Sequence, residues 1–295
     1  TFITLDEPQA LPYETTFDGD VWFVNNGSAL TNAWTIGEGT GNQAPAAYIS
    51  NDGETYAATL VETSTISHLW KDFDFGETED NFELSFDWKV AAAYNDEGSI
   101  TGGIAVYLVE VEPLPETGLL NSANLISVVT GSDVWQTERV YLGNVTGEKR
   151  LVITALGYRT DAELITPAAI DNVALTVSEC DMVEDVAAFN LTTSSIDVSW
   201  TETEADSYIV TYYEYGVEGA EEMTLTVTGS PATIPNLEST TSYVISVIGV
   251  CAGNEAVASS PILATTLQEA VELPYTCDFE EEGTNGWLLK NGTCV

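Results

Sequence analysis

Short runs in which apolar and polar residues alternate constrain the fold of this chain more than any other feature. In residues 82–90, FELSFDWKV, every second position is apolar: Phe82, Leu84, Phe86 and Trp88. Successive side chains of a strand point to opposite faces, so a period of two predicts a strand with one buried face. Residues 103–111 and 149–158 have a similar character, and Gly, Asn, Asp and Pro separate the runs. The pattern predicts antiparallel β-sandwiches.

The charge of the chain excludes several classes of partner. Among 295 residues there are 7 Lys and Arg against 47 Asp and Glu, a formal charge of −40, while 44% hydrophobic residues suffice to build cores. Nucleic acids and anionic membranes require basic patches, so neither is expected as a partner. The sequence contains no apolar run of about 18 residues, so no membrane span is predicted. The acidic balance favours divalent cations and an extracellular environment.

Two stretches near the ends of the chain match each other. Residues 4–13, TLDEPQALPY, align without gaps with residues 266–275, TLQEAVELPY, so the period is 262 residues, from Leu11 to Leu273. This period far exceeds the roughly 20–50 residues of a solenoid repeat and suits one or two whole domains. We therefore expect one repeat of a longer array, with residues 1–7 ending a preceding repeat and residues 269–295 starting the next.

The second half of the chain carries a specific strand signature. Trp200 closes one alternating run, and Leu237, Thr241 and Tyr243 fit the pattern L-x-x-x-T-x-Y before a strand of alternating Val and Ile. A Tyr at this place forms a corner in which its hydroxyl bonds to the backbone upstream. Residues 179–268 thus resemble a fibronectin type III domain, and the resemblance makes Trp200 and Tyr243 core residues.

The first half, residues 8–178, opens with PYETTFDGDVW and closes with AAIDNVALTV. This order resembles the jelly-roll "cleaved adhesin" or MAM-like domains of the gingipain haemagglutinin region, although Asp18 stands where that family usually has Glu. Those domains are commonly followed by a fibronectin type III domain that starts with Cys, and Cys180 occupies that place. The resemblance implies an all-β chain: a jelly roll, a fibronectin type III sandwich and the start of a second jelly roll.

Four cysteines are expected to form two disulfides. Cys277 and Cys294 are both absent from the first copy of the repeated stretch, as a bonded pair would be. This leaves Cys180 to pair with Cys251, and such bonds form in oxidising compartments. The alternatives are a metal site or a catalytic thiol, which the lack of a C-x-x-C spacing and the single histidine, His68, disfavour.

Acidic residues at the two ends of the jelly-roll region are candidate Ca²⁺ ligands. Asp18 is placed in the opening strand and Asp171 in the closing one, and the first and last strands of a jelly roll often lie side by side. The resemblance implies that acids at these places help to hold a structural Ca²⁺, an ion that takes six to eight oxygen ligands. Further candidate ligands in turn-like settings are Asp20, Asn51, Asp52 and Asn172. The acidic run at residues 72–80 is interpreted as a solvated loop.

The sequence offers little that indicates catalysis. No G-x-S-x-G or H-E-x-x-H motif occurs, and one histidine leaves little room for Ser-His or Cys-His chemistry. Carboxylates are plentiful enough for a glycosidase-type pair, but we expect them to hold Ca²⁺ and face solvent. Trp70, Trp135 and Tyr158 are candidates for stacking on sugars by residue type alone, and a structural role is expected for each.

Three functions remain open on this reasoning. The first is a repeat unit of an extracellular adhesin that binds a protein or glycan on a host or neighbouring cell and is accompanied by further copies of itself. The second is an accessory binding region of a large secreted protease or glycan hydrolase. The third is a structural stalk or filament. We expect the chain to be non-catalytic and to be secreted or held at the cell surface.

Overall fold

A computed structural model of the chain describes residues 7–25, 31–42, 45–59, 65–78, 80–90, 93–94, 100–113, 118, 120–157 and 167–270. The chain divides into two compact units, unit 1 (Thr1–Ser178) and unit 2 (Glu179–Val295). Within the described residues the regular secondary structure consists of β-strands and one short 3₁₀ helix at Ser122–Asn124. The predicted all-β class is confirmed.

The described residues of unit 1 form thirteen strands. They are β1 (Gln9–Ala10), β2 (Tyr13–Thr15), β3 (Phe23–Asn25), β4 (Ala33–Gly37), β5 (Ala46–Ser50), β6 (Thr65–Asp74), β7 (Asn81–Val90), β8 (Ala93–Tyr94), β9 (Ile100–Glu110), β10 (Leu125–Val129), β11 (Ser132–Asn144), β12 (Glu148–Gly157) and β13 (Ala169–Val177). Sheet I has the order β1-β6-β12-β9-β10, with β3 beside β6 and β8 beside β9. Sheet II has the order β11-β7-β13-β5-β4, with β2 antiparallel to β13. The closing strand β13 therefore lies beside β2, the second strand of unit 1, with Thr15 opposite Val173, whereas the first strand, β1, belongs to sheet I.

The core of unit 1 lies between the two sheets. Strand β7 contributes Phe82, Leu84, Phe86 and Trp88, all buried in one cluster with residues of sheet I such as Leu69 and Ile153. Burying each side chain of this size contributes about 1.5–3 kcal/mol, so the alternation seen in the sequence brings the two sheets together.

A second apolar layer covers the other face of sheet I. Trp70 is buried here, with Phe23 stacked on its ring at a centroid distance of 4.5 Å. The guanidinium of Arg150 lies 3.9 Å from the centre of the Trp70 ring and donates two hydrogen bonds to Asp72, of 2.6 and 2.8 Å. The interpretation of residues 72–80 as a solvated loop is therefore wrong for its first half: β6 extends to Asp74, Phe73 and Phe75 are buried in the core, and Asp72 forms a buried ion pair. Burial also leaves Trp70 no exposed face for stacking on a sugar.

Unit 2, as far as residue 270, is a second sandwich, and its described part has eight strands. They are β14 (Glu184–Phe189), β15 (Ile196–Thr201), β16 (Ser207–Glu214), β17 (Met223–Val227), β18 (Ala232–Ile234), β19 (Ser242–Cys251), β20 (Asn254–Glu255) and β21 (Ile262–Thr265). Sheet III has the order β14-β15-β18, and sheet IV the order β17-β16-β19-β20, with β21 beside β19. Trp200 packs against Tyr208 in the core, at 5.2 Å between ring centroids. The Tyr243 hydroxyl accepts a hydrogen bond from the Glu238 backbone N–H at 3.0 Å, which is the predicted tyrosine corner.

The predicted disulfide between Cys180 and Cys251 is present and joins residues 71 positions apart. It ties the first residues of unit 2 to the end of β19. The second predicted pair, Cys277 with Cys294, lies outside the described residues, as do most of residues 1–7 and 269–295 on which the array prediction rests.

Candidate metal centre and surrounding surface

Two carboxylates face each other on neighbouring strands of sheet II. Asp87 of β7 is directly opposite Asp171 of β13, and the two residues are only 8% and 0% exposed. Residues directly opposite on antiparallel strands have Cβ atoms about 4.5–5.5 Å apart, and like charges in such positions repel. Because Phe86 and Trp88 enter the core, alternation along β7 puts Asp87 on the opposite face of the sheet. A carboxylate pair buried in this way requires compensation.

Two asparagines supply that compensation in the structure. The side-chain amides of Asn42 and Asn172 both donate to the same oxygen of Asp87, Oδ2, at 2.6 and 2.7 Å. Their backbone N–H groups donate to the two oxygens of Asp171, at 2.9 and 2.8 Å. The hydroxyl of Thr137 donates to Asp87 Oδ1 at 2.6 Å. We refer to Asp87, Asp171, Asn42 and Asn172 as the β7–β13 polar cluster.

The backbone at Asn172 is shaped for this contact. Its φ is 49°, in the left-handed region that Asn tolerates better than most residues, and the pairing of β13 with β7 shifts register between Asp171 and Ala174. An irregularity of this kind re-aims a side chain locally. Asn172 can therefore donate through both its backbone and its side chain to two carboxylates on adjacent strands.

The electrostatics of Asp87 favour its charged form. Burial opposes ionisation, but hydrogen bonds from Thr137, Asn172 and Asn42 outweigh it and lower the pKa of the Asp87 carboxyl below its ordinary value. Asp87 is thus an anion at neutral pH, stabilised by hydrogen-bond donors and next to a second aspartate.

The β7–β13 polar cluster is chemically suited to Ca²⁺. Two carboxylates and two amide groups are oxygen donors of the kind that Ca²⁺ prefers. The amide oxygen and nitrogen of Asn are assigned from hydrogen bonding, and a rotation of each amide would turn its oxygen toward an ion. Among the described residues, no group of three or more His, Cys, Asp or Glu could hold a metal. A cation at this position would therefore depend on the amide oxygens.

The other candidate calcium ligands lie elsewhere. Asp18 is in an exposed bend after β2 rather than in the opening strand, which corrects its placement from the sequence. Asp20 accepts hydrogen bonds from the Lys71 ammonium at 3.0 Å and from the Tyr13 hydroxyl. Burial opposes the ionisation of Asp20, but these bonds lower its pKa. Asp18 and Asp20, together with Glu14, line a shallow cavity formed by the first residues of unit 1.

Asn51 and Asp52 belong to a turn that follows β5. The Asp52 carboxylate accepts hydrogen bonds from the backbone N–H groups of Thr55 and Glu54, at 2.7 and 2.9 Å, and these bonds lower its pKa. The Asn51 side chain donates to the Thr59 hydroxyl at 2.8 Å. These polar atoms stabilise their own turn, as Asp and Asn commonly do.

Sequence reasoning missed Asp87 and Asn42, which the structure brings to Asp171 and Asn172. An aspartate within the alternating run FELSFDWKV was a possible sign of a functional role for Asp87. A polar residue at that position is, however, equally expected on the solvent-facing side of a strand. Nothing local distinguishes Asn42, which lies 129 positions from its partner Asp171.

Lys89, two residues after Asp87 on β7, has its ammonium group enclosed by aromatic rings. Its ammonium lies 4.3 Å from the ring centre of Tyr56 and 4.9 Å from that of Trp135, and it donates to the Thr40 hydroxyl at 2.7 Å. Burial lowers the pKa of Lys89. The Trp135 ring, a candidate for sugar stacking, is thus in contact with a cation of its own chain.

These features define a class of protein: an all-β chain of two sandwich units, one closed by a disulfide and the other carrying a buried polar cluster. Residues 181–265 match the family model of the fibronectin type III domain. The chain therefore contains a fibronectin type III domain in unit 2, within the residues 179–268 predicted from Trp200, Tyr243 and their spacing. The match does not extend to residues 8–178, whose resemblance to the cleaved-adhesin domains stays a prediction.

Three solved structures that are similar to part of this chain are fibronectin type III domains. The FN5 domain of Drosophila Lar is 24% identical, with 30% of this chain and 97% of that chain covered and a TM-score of 0.28. A domain of human contactin 1 is 25% identical, with coverages of 34% and 85% and a TM-score of 0.28. A domain of human collagen XX is 22% identical, with coverages of 30% and 95% and a TM-score of 0.27.

No curated protein matches the chain. Across the described residues, no helix is both long and apolar enough to cross a membrane.

Proposed function

We propose that this chain is a non-catalytic repeat unit of an extracellular, calcium-stabilised, multi-domain surface adhesin. The observation that carries the proposal is the fibronectin type III sandwich closed by the Cys180–Cys251 disulfide. Disulfides persist in oxidising compartments, and fibronectin type III domains are common in cell-surface proteins. The partner would be a protein or glycan on the surface of a host or neighbouring cell.

The chemistry of the described residues supports a binding role over a catalytic one. Both ring nitrogens of the single histidine, His68, are engaged, with the Thr154 hydroxyl at 2.8 Å and the Gly118 carbonyl at 3.0 Å. A glycosidase-type pair needs one carboxyl with a raised pKa to act as the acid. In the Asp87–Asp171 pair the pKa of Asp87 is lowered, and both residues are buried, at 8% and 0% exposed.

Calcium enters the proposal through the β7–β13 polar cluster. A Ca²⁺ ion between Asp87 and Asp171 would replace repulsion across the two strands by attraction, and it would fasten the loop that carries Asn42 to the sheet. Because the ion would bind only the folded unit, Ca²⁺ at about 100 times its dissociation constant would add about 2.7 kcal/mol of stability. The proposed site retains Asp171 and Asn172 from the sequence prediction.

A binding experiment tests the adhesin function. The purified 295-residue chain, labelled with a fluorophore and supplied with Ca²⁺, is applied to a glycan array and to an array of extracellular-matrix proteins. Saturable binding that unlabelled chain displaces is expected. A complete lack of binding on both arrays would contradict the adhesin function and favour the structural stalk.

The accessory-region alternative makes a different prediction. If the chain serves a secreted hydrolase, its array ligands should be the polymers that the hydrolase cleaves, and adding the chain in excess should compete with the intact enzyme for insoluble substrate. Binding to cell-surface ligands without such competition favours the adhesin.

A further inference from the structure

We propose that the outer face of sheet IV in the fibronectin type III domain is a docking surface for a basic partner protein with an apolar centre. The inference rests on the proposed binding function, because a pure spacer would have no partner at this face. It is carried by two independent features, an apolar row across three strands and the absence of any cation from the domain.

The apolar row runs perpendicular to the strands. Tyr213 of β16 is opposite Val244 of β19, and Val244 is opposite Leu263 of β21. Tyr213 is 38% exposed and Leu263 57% exposed. Because residues directly opposite share a face of the sheet, the three side chains form one line on the outside of the domain, which we call the Tyr213 row.

The apolar character of this face extends beyond the row. Tyr215, 62% exposed, follows directly after β16, and its backbone N–H donates to the Ser242 carbonyl at 2.9 Å. Further along the same strands, Ile209 is opposite Ile248 and both are half-buried, separated from the Tyr213 row by the hydrogen-bonded hydroxyls of Thr211 and Ser246. The solvent-facing side of an antiparallel sheet is normally polar, and isolated exposed apolar residues need no explanation, but apolar residues that are adjacent across neighbouring strands are typical of an interaction site.

The second feature is the charge of the domain. Residues 181–265 contain thirteen Asp and Glu and no Lys, Arg or His. No carboxylate of the domain can therefore pair with a cation of the same domain. Three of these acids follow β16 in the segment that leads to β17: Glu218, Glu221 and Glu222. Glu214 is opposite the core residue Tyr243, so it lies on the inner side of sheet IV. The segment that follows Tyr213 and Tyr215 along the chain is thus acidic.

This combination identifies the chemistry of the partner. Protein interfaces commonly have an apolar centre and a polar rim, and complementary charge across the rim determines which partners associate. A partner with an aliphatic or aromatic patch bordered by Lys and Arg would match both the Tyr213 row and the negative charge of the domain. The negative field of the domain would also speed its approach.

A second copy of this chain is a poor occupant. Two fibronectin type III domains would bring surfaces of the same sign together, which costs free energy. Unit 1 offers few free cations to relieve this: among its described residues, Lys71, Arg139, Lys149 and Arg150 already form ion pairs with carboxylates. Lys89 is held between two aromatic rings. The described cations of a second copy are thus already engaged, and a different protein is the better source of Lys and Arg.

The test uses three synthetic peptides of twelve residues as probes. One alternates Leu with Arg, one alternates Leu with Ser, and one alternates Ser with Arg. Each is titrated into the isotope-labelled 295-residue chain in Ca²⁺-containing buffer, and binding is followed by shifts of backbone amide signals and by calorimetry. The Leu–Arg peptide should bind most tightly, with the largest shifts at Tyr213, Val244 and Leu263.

Variants locate the binding face. Leu263→Ser should weaken binding of the Leu–Arg peptide by about fivefold to twentyfold, because a half-exposed leucine no longer contributes apolar contact. The matched control is Val134→Ser, which removes an exposed apolar side chain, 60% exposed, from β11 of unit 1. This control should leave the affinity unchanged. Circular dichroism melts verify that both variants fold.

Several results would overturn the inference: equal affinity of the Ser–Arg and Leu–Arg peptides, shifts that map outside sheet IV, or concentration-dependent dimerisation abolished by Leu263→Ser. The array experiment separates this failure from that of the adhesin function. If the wild-type chain and Leu263→Ser bind the arrays equally well, the adhesin function stands and the docking face is wrong. If the peptides bind sheet IV while the arrays stay empty, the adhesin function fails.

Discussion

The buried ion pair between Arg150 and Asp72 allows a sharp test of how unit 1 is stabilised. Arg150 is fully buried, its guanidinium stacks on Trp70 at 3.9 Å, and Asp72 is its carboxylate partner through two hydrogen bonds. Asp72→Asn keeps the shape of the partner but removes its charge. The Arg150 cation then remains in an apolar layer without a counter-ion.

The expected cost is large. Removing one partner of a buried pair destabilises a protein by about 3–5 kcal/mol, because the remaining charge is left uncompensated. For a unit of this size, each kcal/mol lowers the melting temperature by about 2–4 °C, so a fall of about 6–20 °C is expected for unit 1. The double variant Asp72→Leu, Arg150→Met removes both charges and should recover most of the loss.

The chain contains a matched control for this experiment. Arg139 and Glu83 form a pair with the same two-bond geometry, at 2.6 and 2.9 Å, but the Arg139 side chain is 41% exposed. Glu83→Gln should therefore cost no more than about 1 kcal/mol. Differential scanning calorimetry measures both variants, with the transition of unit 2 as an internal reference. If Asp72→Asn costs as little as Glu83→Gln, burial does not determine the importance of the Arg150 pair.

Four further outcomes are expected. Chelation of Ca²⁺ should lower the melting temperature of unit 1 and leave that of unit 2 unchanged, and in Asp171→Asn the chelator should have no effect on unit 1. If the chelator has no effect on the wild-type chain, the proposed site is wrong. Reducing the Cys180–Cys251 disulfide, which closes a loop of 71 positions, should destabilise unit 2 alone by about 2–5 kcal/mol in urea titrations with and without reductant. Tyr243→Phe removes the hydroxyl of the tyrosine corner and should cost unit 2 about 0.5–1.5 kcal/mol in the same titrations, whereas an unchanged midpoint would show that the corner adds nothing. Burial opposes the ionisation of Asp87, but its hydrogen bonds lower the pKa below the ordinary value of 3.8. The Asp87 carboxylate therefore stabilises unit 1 at pH values above 3.8, and this stability is lost as the pH falls through the lowered pKa. In thermal melts between about pH 5 and 2, Asp87→Asn should lack this part of the acid dependence.

Several features of the fold follow from local sequence alone. The alternation of Phe82, Leu84, Phe86 and Trp88 predicts a strand with one buried face, and those four side chains do enter the core. The spacing from Leu237 to Tyr243 predicts the tyrosine corner of unit 2. Such features can be predicted from the sequence because they depend on the two-residue period of a strand and on turns between residues that are close in sequence.

Other features depend on which strands become neighbours. Asp87 and Asp171 meet only because β7 pairs with β13 in one particular register, and Asn42 reaches them from a loop far away in sequence. Arg150 looks like a surface residue in the sequence, yet a second apolar layer on sheet I buries it beside Asp72. The Tyr213 row likewise arises from three strands that are separated along the chain. Alternation specifies which side of a strand a residue occupies, but strand order and register decide what lies opposite it, and these are set by the packing of the whole unit.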